Sequence, residues 1–140
     1  MVDTHCHIDL YPNPYEILNE YDNLGISVLA MTNLPSHFEK GFPHIVKFKK
    51  ARLALGFHPL FAKYFNTEFP IFIKCLNKTS YIGEVGLDFS KAGYASKDIQ
   101  VYLFRKILEN IGAEKKILSL HSKRSEREVF ELLCEYSIRN

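Results

Sequence analysis

His5-Cys6-His7 stands at the end of the first apolar run of the sequence. Side chains alternate along a strand, so the two imidazoles share one side and the thiol takes the other. Two imidazoles on one side of a strand end can grip a single metal ion. Taken alone, the spacing also fits two unrelated polar residues. Position adds weight. Glu84 lies near the end of the fourth apolar run, His121 directly follows the fifth, and His58 follows the third. Imidazole nitrogen together with carboxylate oxygen suits Zn²⁺, Mn²⁺ or a related ion better than Ca²⁺.

These residues need elements to position them. Residues 2–7 read as a strand. Helical spacing follows over 15–24, with Asn13 as cap, Pro14 at the first helical position and Gly25 as stop. A second strand covers 26–32. Pro35 opens a helical region running to about Lys50, whose Lys47, Lys49 and Lys50 suit the negative end of a helix dipole. A third strand spans 52–57. A third helix spans 67–77, where Pro70 predicts a late start or a kink. The fourth strand covers 81–86. Over 97–111, Ile99, Leu103, Phe104, Ile107, Leu108 and Ile111 share a helical face. A fifth strand (117–120) and a fifth helix (125–136) close the series, with Ser125 and Glu128 forming a capping box.

Strands alternating with helices imply a parallel sheet covered by helices, in a single domain over 1–140. The fold class is α/β, and the repeated units could supply part of an eight-stranded barrel of the TIM-barrel type. Such a barrel takes roughly 250 residues and eight βα units. The five units predicted here make an incomplete barrel, and in such barrels the reacting groups gather at the C-terminal ends of the strands.

Composition narrows the class further. The chain has 140 residues, 46% hydrophobic and 24% charged, which excludes a disordered protein. A net charge of +2 is too weak to imply nucleic acid by itself, although 115–127 is rich in Lys and Arg. Three cysteines without Cys-x-x-Cys spacing give no disulfide framework and no zinc ribbon. Neither a signal peptide nor an apolar run near the ~20 residues of a membrane span is present, so a cytoplasmic protein is expected. Cys75 and Cys134 fall in apolar helical settings and read as core. His37 and His44 read as ordinary surface residues. The aromatic residues are scattered through core patterns, and no base-stacking platform is predicted.

Several blocks in register resemble the TatD family of metal-dependent deoxyribonucleases. They are Asp3-Thr4-His5-Cys6-His7-Ile8-Asp9, Gly56-Phe57-His58-Pro59, Gly83-Glu84-Val85-Gly86-Leu87-Asp88, Gln100 with Phe104, and Leu120-His121-Ser122. The resemblance implies a metal-dependent hydrolase with two divalent ions (Mg, Mn or Zn) and DNA as substrate. His5 and His7 would hold the first ion, Glu84 would bridge both, and His121 would bind the second. Glu84 and His121 would thus be the catalytic pair. His58 and Asp88 would lie near the substrate, and Lys123 or Arg124 would contact a phosphate. Where the family places Arg after the Ser of the His-Ser block, Lys123 stands here; it keeps the charge and loses the bidentate fork.

The family also draws a His from its sixth strand and an Asp from its eighth. No His follows His121 and no Asp follows Asp98. The expectation is therefore either a shortened form or a chain completed by a homo-oligomer or a partner protein. The alternative function is a catalytically incomplete subunit acting through metal or partner binding. A narrower resemblance, at Tyr11-Pro12-Asn13-Pro14, Thr32–Glu39 and Lys78-Thr79-Ser80-Tyr81, is to the TatD-like component of the Qat anti-phage defence system.

Overall fold

Strands and helices alternate along the whole chain in the computed structural model, which describes residues 1–112 and 115–136. The order is β1 (Val2–Cys6), α1 (Pro14–Leu24), β2 (Ser27–Ala30), α2 (Pro35–Ile45), β3 (Ala51–Leu53), α3 (Phe65–Cys75), β4 (Tyr81–Asp88), α4 (Lys97–Ile111), β5 (Ile117–Lys123) and α5 (Glu126–Glu135). Strands β1, β2 and β3 pair in parallel, and so do β4 and β5. A seam joins the two groups. Leu55 bridges to Ile82, and Phe57 N–H donates to Glu84 O at 3.1 Å. The strands thus follow chain order, as right-handed βα repeats require. The sheet curls so far that His5 Nδ1 on β1 meets Ser119 Oγ on β5 at 3.0 Å. This is the expected open portion of a barrel.

Local chemistry explains the first unit. The Asn13 side chain accepts from Glu16 N–H, Pro14 occupies the first helical position, and Gly25 ends α1 at φ 68°. A left-handed residue there suits glycine, which has no Cβ to clash.

Several boundaries differ from those expected. Helix α2 ends at Ile45, not near Lys50. The Asp22 carboxylate accepts from the backbone N–H groups of Lys49 and Lys50, and these bonds hold that stretch in a turn. Strand β3 is only three residues long, because the chain leaves it to form the seam. Helix α3 starts at Phe65, earlier than expected, and carries Pro70 in its interior. Strand β5 runs on to Lys123, so His121 lies within the strand. The capping box does not form. Ser125 precedes α5, but its hydroxyl donates to Leu87 O on β4.

The core lies between sheet and helices. Phe38 on α2, Phe57 after β3, Phe72 on α3 and Phe104 on α4 are all fully buried. Each such side chain contributes about 1.5–3 kcal/mol by leaving water. Helix α4 departs from its expected face at one position. Ile99 is exposed and Gln100 is buried. Cys75 belongs to the core, whereas Cys134 is exposed, against expectation.

Candidate metal centre

Glu84 sits in the middle of β4, beside the seam, with its backbone held from the segment after β2. Its N–H donates to Thr32 O at 3.3 Å. Thr32 is itself fixed, since its hydroxyl donates to Ala54 O and accepts from Gly56 N–H, both at 2.9 Å. The approach is so close that a Cβ on Gly56 would stand 1.6 Å from Thr32 O. Glycine is required there by space, and the site's backbone therefore depends on it.

Around the Glu84 carboxylate the fold gathers four imidazoles. Oε2 lies 3.8 Å from His5 Nε2, 3.4 Å from His7 Nε2 and 3.9 Å from His58 Nε2. Oε1 lies 2.8 Å from His121 Nδ1. The opposite nitrogen of His121, Nε2, is 3.0 Å from Asp88 Oδ2. These donors form two overlapping groups, His5-His7-Glu84 and His58-Glu84-His121, each compact enough to surround an ion.

The donor set fits divalent metal. Two ligands each ~2.1 Å from one ion stand roughly 3–3.4 Å apart at right-angled or tetrahedral geometry, close to the spacing found here. His7 Nδ1 is buried with no hydrogen-bond partner among the described residues. A buried ring nitrogen left without a partner is costly, and His7 Nδ1 is available for a ligand or a proton acceptor.

Burial and hydrogen bonding set the charge states of the groups. Burial pushes His58 down to about 4, against the pull of the Glu84 carboxylate, so the ring is neutral near pH 7. Burial works to raise Glu84, but the His121 hydrogen bond and the nearby imidazoles outweigh it and hold the carboxyl below its ordinary range. Burial likewise opposes the ionised form of Asp88. Hydrogen bonds from Ser90 and from His121 prevail and lower it. His121 can donate to both carboxylates only as the imidazolium. As the neutral tautomer with its proton on Nε2, it keeps the Asp88 bond and turns a lone pair toward Glu84.

Sequence expectation and structure can now be compared residue by residue. His5, His7, Glu84 and His121 come together as expected. The alternation argument for Cys6 also holds, since that side chain is buried in the core. Two more expected residues lie alongside. His58, expected beside the substrate, stands 3.9 Å from Glu84 Oε2 and accepts from Leu60 N–H at Nδ1. Asp88, also expected there, is only 2% exposed and bonds to His121. Lys123 pairs in register with Asp88, and both Lys123 and Arg124 are exposed on the same rim. Three supporting residues are new: Thr32, Ser119 on His5, and Ser90 on Asp88. Ser119 was findable. It lies two positions before His121 and so shares its strand face.

Residues 2–140 match the family described as TatD related DNase. A relative from Buchnera aphidicola subsp. Baizongia pistaciae (strain Bp), described as an uncharacterized metal-dependent hydrolase, is 26% identical over 147 residues, covering 96% of this chain and 54% of the relative. The crystal structure of YJJV, a TatD homolog from Escherichia coli K12, is similar with a TM-score of 0.83 at 21% identity, covering 97% of this chain and 56% of that one. This likeness shows the fold, including its barrel type. The chain spans about half the length of the relatives it matches. Among the described residues, no helix is long and apolar enough to cross a membrane.

Proposed function

Since the chain belongs to the TatD family, we propose that it is a divalent-metal-dependent hydrolase that cleaves phosphodiester bonds in DNA. One observation carries this reading: four imidazoles from three parts of the sheet converge on the single carboxylate of Glu84. His5 and His7 would hold one ion, His121 a second, and Glu84 would bridge them. Bound divalent ions supply an acidified water and neutralise charge on the phosphate oxygens.

The chain's own groups do the rest. Asp88 fixes the ring of His121 through Nε2, the usual way a carboxylate orients a liganding imidazole. His58, kept neutral by burial, accepts from Leu60 N–H at Nδ1 and so turns its Nε2–H toward Glu84. Ser119 sets the ring of His5. Lys123 and Arg124 stand at the rim as cations for a substrate phosphate. Three cysteines without disulfides support a cytoplasmic setting. The Qat-like segments support a place in anti-phage defence, which a plaque assay with and without Glu84→Gln would test.

The deciding measurement is metal content by elemental analysis, alongside cleavage of a DNA oligonucleotide with added Mn²⁺ or Mg²⁺. Bound metal and cleavage that both fall more than ~100-fold in Glu84→Gln are expected. Neither metal nor cleavage in the wild type would sink the reading and leave a subunit that acts through a partner.

A further inference from the structure

The segment directly after His58 carries aromatic rings outward from the metal centre. The ring of Phe61 lies 6.1 Å from that of His58, edge-on. Tyr64 follows at 6.4 Å from Phe61, with the planes only 22° apart. Both belong to the short 3-10 helix Pro59–Tyr64, which packs against a second one, Tyr94–Ser96. Tyr64 is 44% exposed and Tyr94 is 60% exposed. Each exposed ring has a lysine over it, Lys63 at 5.0 Å from Tyr64 and Lys97 at 5.4 Å from Tyr94. Neither lysine is paired with a carboxylate among the described residues.

Several other aromatic groups in the molecule have structural work. Phe65, Phe69 and Phe72 stack within or against the core. Tyr102 has its own lysine, Lys106, but that ammonium is tied to Glu109 at 2.7 Å. Among the described residues, only the Tyr64 and Tyr94 pairs combine an open ring, an uncommitted cation and a position beside the candidate centre.

We propose that Phe61, Tyr64 and Tyr94, with Lys63 and Lys97, form a stacking track that seats the bases of a single-stranded nucleic acid running away from the metal centre. The proposal rests on the hydrolase reading for its direction and substrate, but its binding chemistry is separate. Every base has a π-face, so stacking tolerates any sequence. An ammonium displaced from a tyrosine face by a base is free to meet the adjacent phosphate. A paired duplex hides those faces, so the track selects single strands. Continuity with the site is direct, because His58, the first ring of the series, stands 3.9 Å from the Glu84 carboxylate.

The test uses the full chain treated with EDTA, so that binding is read without cleavage. Fluorescence anisotropy measures the Kd for a labelled oligothymidylate and for an abasic strand of equal length. Wild type should bind the base-bearing strand about 5- to 100-fold more tightly. Tyr64→Leu and Tyr94→Leu should each weaken that binding about 10-fold and leave the abasic strand unaffected, while Tyr64→Phe should retain wild-type affinity. Equal affinity of wild type for both strands, or a Tyr64→Leu/Tyr94→Leu double variant that binds oligothymidylate like wild type, overturns the track. Metal-dependent hydrolysis of bis(p-nitrophenyl) phosphate separates the two claims. Hydrolysis without base-dependent binding overturns the track alone. Base-dependent binding through Tyr64 without hydrolysis supports the track and sinks the hydrolase reading.

Discussion

Replacing Thr32 with valine removes one hydroxyl, keeps the side chain's shape, and touches both the seam and the site. Thr32 is 3% exposed. Its hydroxyl donates to Ala54 O and accepts from Gly56 N–H. Valine leaves both backbone groups without that partner in a region closed to water. A buried polar group deprived of its bond costs about 1–3 kcal/mol, so two such groups predict a loss of about 2–6 kcal/mol. Thr32→Ser is the control. It keeps the hydroxyl and loses one methyl, at about 1 kcal/mol. Equilibrium unfolding in guanidinium, read at a constant slope, measures both variants. Because Thr32 O also accepts Glu84 N–H, divalent-metal affinity should fall with stability in the valine variant and be largely kept in the serine variant. A valine variant within about 1 kcal/mol of wild type, or a serine variant equally damaged, would refute the claim that this hydroxyl holds the seam.

Acidification gives a second prediction. His58 is held at about 4 against its ordinary 6.5, so the unfolded chain takes up this proton first, and stability falls as pH drops between those values. The full shift corresponds to about 3 kcal/mol. The lowered carboxyls of Glu84 and Asp88 act in the same direction: their contribution is present above their unfolded values and is lost as pH falls through the folded ones. The melting temperature of metal-free protein should therefore drop from pH 7 to pH 5, and His58→Asn should flatten the decline; a profile that is already flat in wild type contradicts this. Gln100 yields a third. It is fully buried, accepts from Asp88 N–H and donates to Gly93 O and Ser96 Oγ. Gln100→Leu should cost about 2–4 kcal/mol in urea unfolding, and a loss under about 1 kcal/mol would show that the 89–96 loop does not need it.

Periodicity and punctuation located the helices well. Helix α4 begins and ends where its apolar spacing does, and α1 where Asn13, Pro14 and Gly25 place it. The His-x-His pair, Glu84 and His121 were legible because strand alternation and strand-end position are local properties. What escaped were long-range bonds. Asp22 sits far from Lys50 in sequence, yet it ends α2 early. Ser125 looked like a cap, but a carbonyl on β4 offered its hydroxyl a buried partner. That the Asp88 carboxylate is closed off beneath His121 is likewise a long-range fact that no local pattern shows. The stacked rings of Phe61 and Tyr64 were equally hidden: neither helix nor strand periodicity describes the 3-10 turn that aligns them.

The seam between β3 and β4 has one more consequence. Its backbone bonds join β4 on one side to Leu55 and Phe57, which lie beyond the end of β3, on the other. Sub-global opening should begin there, with the first three strands parting from the last two. His5 and His7 ride on or beside β1, whereas Glu84 rides on β4. A ligand gripped by all three therefore acts as a clasp across the hinge, and by mass action it disfavours opening by about 2.7 kcal/mol at a hundredfold excess over its Kd. Amide hydrogen exchange at Phe57, Gly83 and Glu84 would slow as the clasp fills, which makes the rigidity of this molecule a readout of its ion supply.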